Sequence, residues 1–144
     1  MFIDVHCHLD RENYGDISTL VKSCAEKGVG RIITVGFDLP SSRLAAEIAE
    51  EHEGVYFTAG FHPTELSKYK DGDLNIIADL CAHPKCVALG EIGLDYHYPD
   101  TQKELQRGVF IAQLELADRL KMPVQIHSRD CAEDMFSLLS EHRH

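Results

Sequence analysis

The stretch CVALGEIGLDYHYPDTQKELQRGVFIAQLELADRLKMPVQIH (86–127) decides the fold class of this chain. An apolar run, CVALGEI (86–92), is followed by a segment whose apolar residues recur at helical spacing, and then by a second apolar run, PVQIH (123–127). The helical segment runs from about Thr101 to Lys121. Two strands joined by a helix of this length form a right-handed crossover and lie parallel in one sheet.

The same alternation extends to both ends of the chain. Three more short runs are typical of buried strands, namely FIDV (2–5), RIITVGF (31–37) and GVYFTAGF (54–61). Amphipathic spacing predicts a helix that Asp16 caps and Gly28 ends, a second from Leu44 to Ala49, and a last one from Glu133 to Glu141. Residues 68–73 are predicted to form a polar loop. The fold class is therefore α/β, with five parallel strands, none longer than eight residues.

Composition and length predict a single domain over residues 1–144. The chain is 44% hydrophobic, which is enough for one core, and it contains no linker or low-complexity segment. It lacks an apolar run long enough to cross a membrane and does not start like a signal peptide, so a cytoplasmic location is expected. The five cysteines lie in apolar segments without zinc-finger spacing and are predicted to be reduced, mostly buried thiols: Cys7, Cys24, Cys81, Cys86 and Cys131.

The formal net charge of −10 argues against one class of function. A protein that clamps nucleic acid through lysine and arginine would carry the opposite charge. An enzyme that holds phosphate through bound divalent cations is not excluded, because such ions reverse the local potential.

His6 and His8 form the clearest local motif. They follow the first predicted strand, and the alternation of an extended backbone points both imidazoles to the same side, where they can chelate one metal ion. The alternative is two surface histidines that form ordinary hydrogen bonds, since HxH is a short pattern.

Glu91 and His127 end two further predicted strands. The carboxyl ends of parallel strands meet at one edge, so these side chains are expected to converge with the two histidines and complete a metal site. A carboxylate that follows an apolar run needs a cation or another partner. The alternative is therefore an ion pair of Glu91 with Arg129 or Arg31.

Three further residues are candidates for substrate binding. His62 lies at the end of the third strand, although the following proline also favours a role in stabilising the turn. Asp95 is predicted either to contact substrate or to cap its loop, and Arg129 either to bind phosphate or to pair with Asp130 or Glu133. The remaining histidines are predicted to be surface or loop residues: His52, His83, His97, His142 and His144.

Taken together, the motifs IDVHCHLD (3–10), GFHP (60–63), LGEIGLDY (89–96) and IHSRD (126–130) resemble the TatD family of metal-dependent hydrolases. The resemblance implies a (β/α)8 TIM barrel with two divalent ions, Mg, Mn or Zn, at the carboxyl ends of its strands. It implies that His6 and His8 bind one ion, that His127 binds the second, and that Glu91 bridges both and is catalytic. Several members of the family are DNases, so DNA is the expected substrate and a metal-activated water the expected nucleophile.

The resemblance covers only part of such a barrel. A complete barrel takes roughly 250 residues, so this chain is expected to be truncated after about five β/α units. The family's later histidine and aspartate ligands are not among its residues. Unpaired outer strands favour a homo-oligomer or a complementing second chain. Two alternative functions stay open, a small-molecule amidohydrolase and an inactive truncated barrel that binds metal weakly.

Overall fold

The structure, a computed structural model, describes residues 1–142, so His144 lies outside the described residues. Five strands alternate with helices along this part of the chain. The strands are β1 (Phe2–Cys7), β2 (Val29–Val35), β3 (Val55–Ala59), β4 (Cys86–Asp95) and β5 (Val124–Arg129). The α-helices are α1 (Arg11–Tyr14), α2 (Ile17–Glu26), α3 (Leu39–Glu51), α4 (Asp73–Cys81), α5 (Lys103–Leu120) and α6 (Ala132–Glu141), and a 3-10 helix spans Pro63–Lys68.

The sheet is parallel throughout, and its strand order follows the sequence, β1-β2-β3-β4-β5. This confirms the α/β class and leaves β1 and β5 as the outer strands, as predicted. The sheet is also strongly curled. The side-chain amide of Gln125 on β5 donates to the carbonyl oxygen of Val5 on β1 at 2.8 Å, across three intervening strands. The described chain is therefore a partial barrel whose concave face lies between β1 and β5.

Several sequence predictions about where the strands end were wrong. β4 has 10 residues rather than at most eight, because its pairing with β5 continues as far as Asp95 opposite Arg129. Glu91 consequently lies in the middle of β4, and His127 lies within β5, which continues to Arg129, so neither residue ends its strand. His6 lies within β1 rather than after it, since β1 pairs with β2 as far as Cys7.

The helix α4 and the 3-10 helix before it were missed by the sequence analysis. Leu74, Ile77, Ala78 and Cys81 have the i, i+3, i+4, i+7 spacing of a helix, and Ile77 is fully buried. The signal is short, nine residues, and it directly follows the polar segment 68–73. The sequence analysis assigns no element to residues 74–81.

The core lies between the convex face of the sheet and the helices. Its fully buried large side chains include Phe57 and Leu89 from the strands and Ile48, Ile77 and Phe110 from the helices. The outer strand β1 is different, with Phe2 73% and Val5 60% exposed. All five cysteines are free thiols. Within residues 1–142, no helix is both long enough and apolar enough to cross a membrane.

Helix caps fix where the helices begin. Asp16 accepts a hydrogen bond from the backbone N–H of Ser18 and caps α2, as predicted. At α3, Asp38 accepts from the N–H of Ser41, whose hydroxyl in turn accepts from the N–H of Asp38, a reciprocal capping box.

Replacing Asp38 with alanine is expected to lower the free energy of unfolding by about 1 kcal/mol, because the first turn of α3 loses its acceptor. Urea denaturation followed by circular dichroism measures the change. Asp79→Ala is the matched control, since Asp79 is exposed within α4 and caps no helix. An equal loss in both variants would contradict the capping role.

Candidate metal centre

Glu91 lies at the centre of the concave face, with three imidazoles around its carboxylate. Its Oε2 is 3.4 Å from His6 Nε2, and its Oε1 is 3.2 Å from His127 Nδ1 and 3.9 Å from His62 Nε2. Glu91 is only 9% exposed. In residues 1–142 it pairs with neither Arg129 nor Arg31, so the ion-pair alternative is wrong and its charge faces nitrogen ligands instead.

The possible ligand atoms form two groups that share Glu91. One group is His6, His8 and Glu91, and the other is His62, Glu91 and His127; in each, the ligand atoms lie within 4.8 Å of one another. These atoms belong to residues on four strands or in the turns that directly follow them. They meet because the carboxyl ends of the parallel strands lie at this edge of the sheet. Imidazole and carboxylate are the donors that Zn, Mn and similar ions take, and a shared carboxylate suits a pair of ions.

The position of His8 leaves one ring nitrogen free for a ligand role. Its Nδ1 lies 3.0 Å from the carbonyl oxygen of Val35 on the neighbouring strand. A carbonyl only accepts, so Nδ1 carries the proton and Nε2 keeps its lone pair. The ring lies edge-on to His6, with centroids 5.2 Å apart. The two residues of the HxH motif therefore do face the same space, as predicted.

His127 lies between two carboxylates. Its Nε2 is 3.0 Å from Asp95 Oδ2, and its Nδ1 is 3.2 Å from Glu91 Oε1. Burial raises the pKa of Asp95, but hydrogen bonds from the His97 N–H and from His127 outweigh it and leave the pKa below its ordinary value. Asp95 thus accepts the proton of Nε2. The lone pairs of Nδ1 and Glu91 Oε1 then converge, an arrangement that a cation between them would stabilise.

Asp95 is 2% exposed, and its carboxylate orients His127 and accepts from the backbone N–H of His97. Asp95 therefore caps its loop, as one of the two predictions stated. It also contacts His127, which the sequence did not indicate. Arg129 extends over the ring of Tyr98, 5.8 Å from its centroid. Within residues 1–142 it forms no salt bridge with Asp130, which pairs with His97 instead.

His62 stabilises the turn after β3, which is one of the two roles that the sequence left open, and its ring also lies beside His127. Its Nδ1 accepts from the backbone N–H of Thr64 at 3.2 Å and caps the 3-10 helix, while its ring packs against His127 with centroids 4.2 Å apart. Burial lowers the pKa of His62, and the neighbouring His127 lowers it further. His62 is therefore uncharged near neutral pH, with its proton on Nε2, which faces Glu91.

Because the pKa of His62 is lower in the folded chain than its ordinary value of 6.5, the unfolded chain binds the proton more readily. Stability is therefore expected to fall as the pH drops from about 6.5 through the lower folded pKa. Imidazole C–H signals in a proton NMR titration of the metal-free chain measure that pKa. The variant His62→Gln should lose this part of the pH dependence of unfolding, and an unchanged dependence would contradict it.

Phe37 is a neighbour of the site that sequence reasoning missed. It ends the apolar run 31–37, which predicts a strand residue, but it follows β2 and its ring contacts His8, with centroids 5.5 Å apart. Its place just after a strand in a parallel sheet was the available signal.

Known proteins that are similar in sequence share the fold of this chain and indicate the family to which it belongs. The model of the family "TatD related DNase" matches residues 3–144. The chain is 39% identical to the metal-dependent hydrolase YabD of Bacillus subtilis, over 98% of this chain and 56% of that protein. It is 34% identical to the 3'-5' ssDNA/RNA exonuclease TatD of Escherichia coli, over 94% of this chain and 53% of that protein.

Among solved structures, that of the Escherichia coli TatD homologue YJJV superposes with a TM-score of 0.92 at 35% identity, over 98% of this chain and 56% of the other. A hydrolase of the TatD family from Entamoeba histolytica superposes with a TM-score of 0.87 at 26% identity, over 98% and 54%. The chain thus spans about half the length of the curated relatives that it matches. With the family model matching nearly all of its residues, the chain belongs to the TatD related DNase family of metal-dependent hydrolases.

Proposed function

We propose that residues of this chain form the metal centre of a hydrolase that cleaves phosphodiester bonds in single-stranded DNA. The observation that carries the proposal is the position of Glu91, which belongs to both groups of ligand atoms. The name of the Escherichia coli relative, a 3'-5' ssDNA/RNA exonuclease, supports the substrate class. The activity, substrate and partners of the whole protein are part of the proposal.

In this proposal His6 and His8 hold one divalent ion, His127 holds the second, and Glu91 bridges both. The donors present fit such ions, since Nε2 of His8 and Nδ1 of His127 both keep their lone pairs. When bound, a pair of Mg, Mn or Zn ions supplies Lewis-acid stabilisation of charge on the phosphoryl oxygens and acidifies a coordinated water.

His62 acts in a different way from the four ligands. Its Nδ1 is occupied by the N–H of Thr64, so its remaining nitrogen carries a proton and donates rather than ligates. A neutral N–H donor beside Glu91 suits a phosphoryl oxygen of the substrate. This agrees with the substrate-binding role expected from the sequence.

Asp95 and Arg129 complete the proposed arrangement. Asp95 positions His127 through the 3.0 Å hydrogen bond to Nε2 and fixes which nitrogen faces Glu91. Arg129 ends β5, two residues after His127, and its guanidinium is exposed. In this proposal it pairs with a phosphate of the DNA backbone at the rim of the site.

The test is cleavage of an end-labelled single-stranded oligodeoxynucleotide by the purified chain in Mg or Mn, with a chelator control. Cleavage is expected to need the ion and to fall to background in Glu91→Gln. The matched control is Glu47→Gln, because Glu47 is an exposed carboxylate on the outer helix α3. Cleavage that survives the chelator, or a metal-saturated chain that leaves DNA intact, would contradict the proposal for this chain.

A further inference from the structure

A second cavity adjoins the metal centre. The cleft above Glu91 has a volume of about 230 Å³ and is bordered by His8, Phe37 and His62. The adjoining cavity, of about 490 Å³, lies between the turn after β1 and the start of α3. His8 and Phe37 line both spaces and form the wall between them. The two spaces are therefore direct neighbours, separated by these two side chains.

The adjoining cavity is mainly apolar. Leu9 and Val35 are buried beneath it, at 8% and 2% exposure, and Leu44 of α3 lines it together with Pro40. The ring of Phe37 borders it on the side of the metal centre. Apolar walls around an open space of this size are typical of pockets that accept a flat organic ring.

The charges around the cavity disfavour an anion such as phosphate. Among the described residues that line the cavity, Arg11 is the only lysine or arginine, and its guanidinium is already bound to the carboxylate of Glu51 at 2.7 Å. Three carboxylates line the same space, those of Asp10, Glu12 and Asp38. An anion would be repelled there, whereas an uncharged ring would not.

We infer that this cavity binds the nucleobase of a nucleotide whose phosphate lies at the metal centre. The inference rests on the proposed function and deepens it, since it explains how an acidic chain holds a single-stranded substrate. An unpaired base has apolar faces that can stack on Phe37 and fill the space beside Leu9 and Leu44. A base inside a duplex cannot leave its stack without a cost in free energy, so the pocket favours single strands.

The test uses thymidine, which carries a base but no phosphate, so that binding does not depend on the metal centre. Methyl NMR of the whole chain follows pocket residues Leu9, Val35 and Leu44, with Leu116 in the core as the internal reference. Millimolar thymidine is expected to shift the pocket methyl signals. Ribose 5-phosphate, which lacks a base, is expected to leave them unchanged.

Two variants test the place of binding. Phe37→Ala is expected to weaken thymidine binding about tenfold, the contribution of one stacked base. Leu44→Trp leaves Phe37 in place and fills the cavity from α3, so it should abolish the shifts at Leu9. The control Phe136→Ala removes an aromatic ring that is 77% exposed on α6, and should bind like the parent.

The inference is overturned if thymidine shifts none of the pocket signals, if ribose 5-phosphate shifts them equally, or if Leu44→Trp binds thymidine as well as the parent. Broadening of the His6 and His8 imidazole signals by Mn²⁺ is recorded separately. It reports on the metal centre alone, so a failed metal site and a failed base pocket give different results.

Discussion

Replacing Glu91 with glutamine is expected to remove the stabilisation that divalent ions give to this chain. An ion that binds only the folded state adds about 2.7 kcal/mol at a concentration 100 times its Kd. For a domain of this length that corresponds to a rise in Tm of roughly 10 °C. Glu91 belongs to both ligand groups, so this one substitution should weaken the binding of both ions. Thermal unfolding with and without Mn²⁺ measures the difference.

The glutamine variant keeps the shape of the side chain, so its Tm without metal reports whether the fold is intact. Glu47→Gln should show the full metal-dependent rise, because Glu47 is exposed on α3, away from the concave face. A rise in Tm of equal size in Glu91→Gln would mean that the ions bind elsewhere on the acidic surface.

Gly93→Ala is expected to cause the largest loss of stability, because a side chain at this position of β4 would clash with the backbone of β5. A Cβ at Gly93 would lie only 1.9 Å from the carbonyl oxygen of His127, and the residue has a φ of +146°, which side chains rarely adopt. The strands must separate to relieve the clash. A loss of roughly 3 kcal/mol or more is expected, with weaker metal binding because His127 moves.

Gly108→Ala is the matched control for this substitution. Gly108 lies within α5, and a Cβ there would meet no atom within 4 Å. Alanine is the better helix former, so this variant should gain about 0.5–1 kcal/mol. Urea denaturation of both variants, with Mn²⁺ titrations of the folded chains, gives the comparison. A Gly93→Ala chain as stable as the parent would contradict the close approach of the two strands.

The convergence of His6, His8, Glu91 and His127 could be predicted from sequence because it depends on only two facts. The strands are parallel, and each of these residues lies at or near the carboxyl half of its strand. Parallel strands bring such positions to one edge whatever the detailed packing. An error of a few residues in a strand boundary, as at Glu91, did not change which side chains meet.

The parts that sequence reasoning missed depend on contacts between distant residues. The length of β4 is set by its pairing with β5, which no local pattern of 86–95 reveals. The hydrogen bond from His127 to Asp95 joins side chains 32 positions apart. The proton on Nε2 of His62 follows from a bond to Thr64 whose geometry only the 3-10 helix fixes.

The amide of Gln125 has a mechanical consequence for the site above it. It donates to the carbonyl of Val5 and accepts a 3.4 Å hydrogen bond from the hydroxyl of Thr58, so one side chain braces β1, β3 and β5. Val5 directly precedes His6, and Gln125 lies two residues before His127. Gln125 therefore controls the distance between the imidazoles of His6 and His127, although it does not itself have to contact an ion or a substrate.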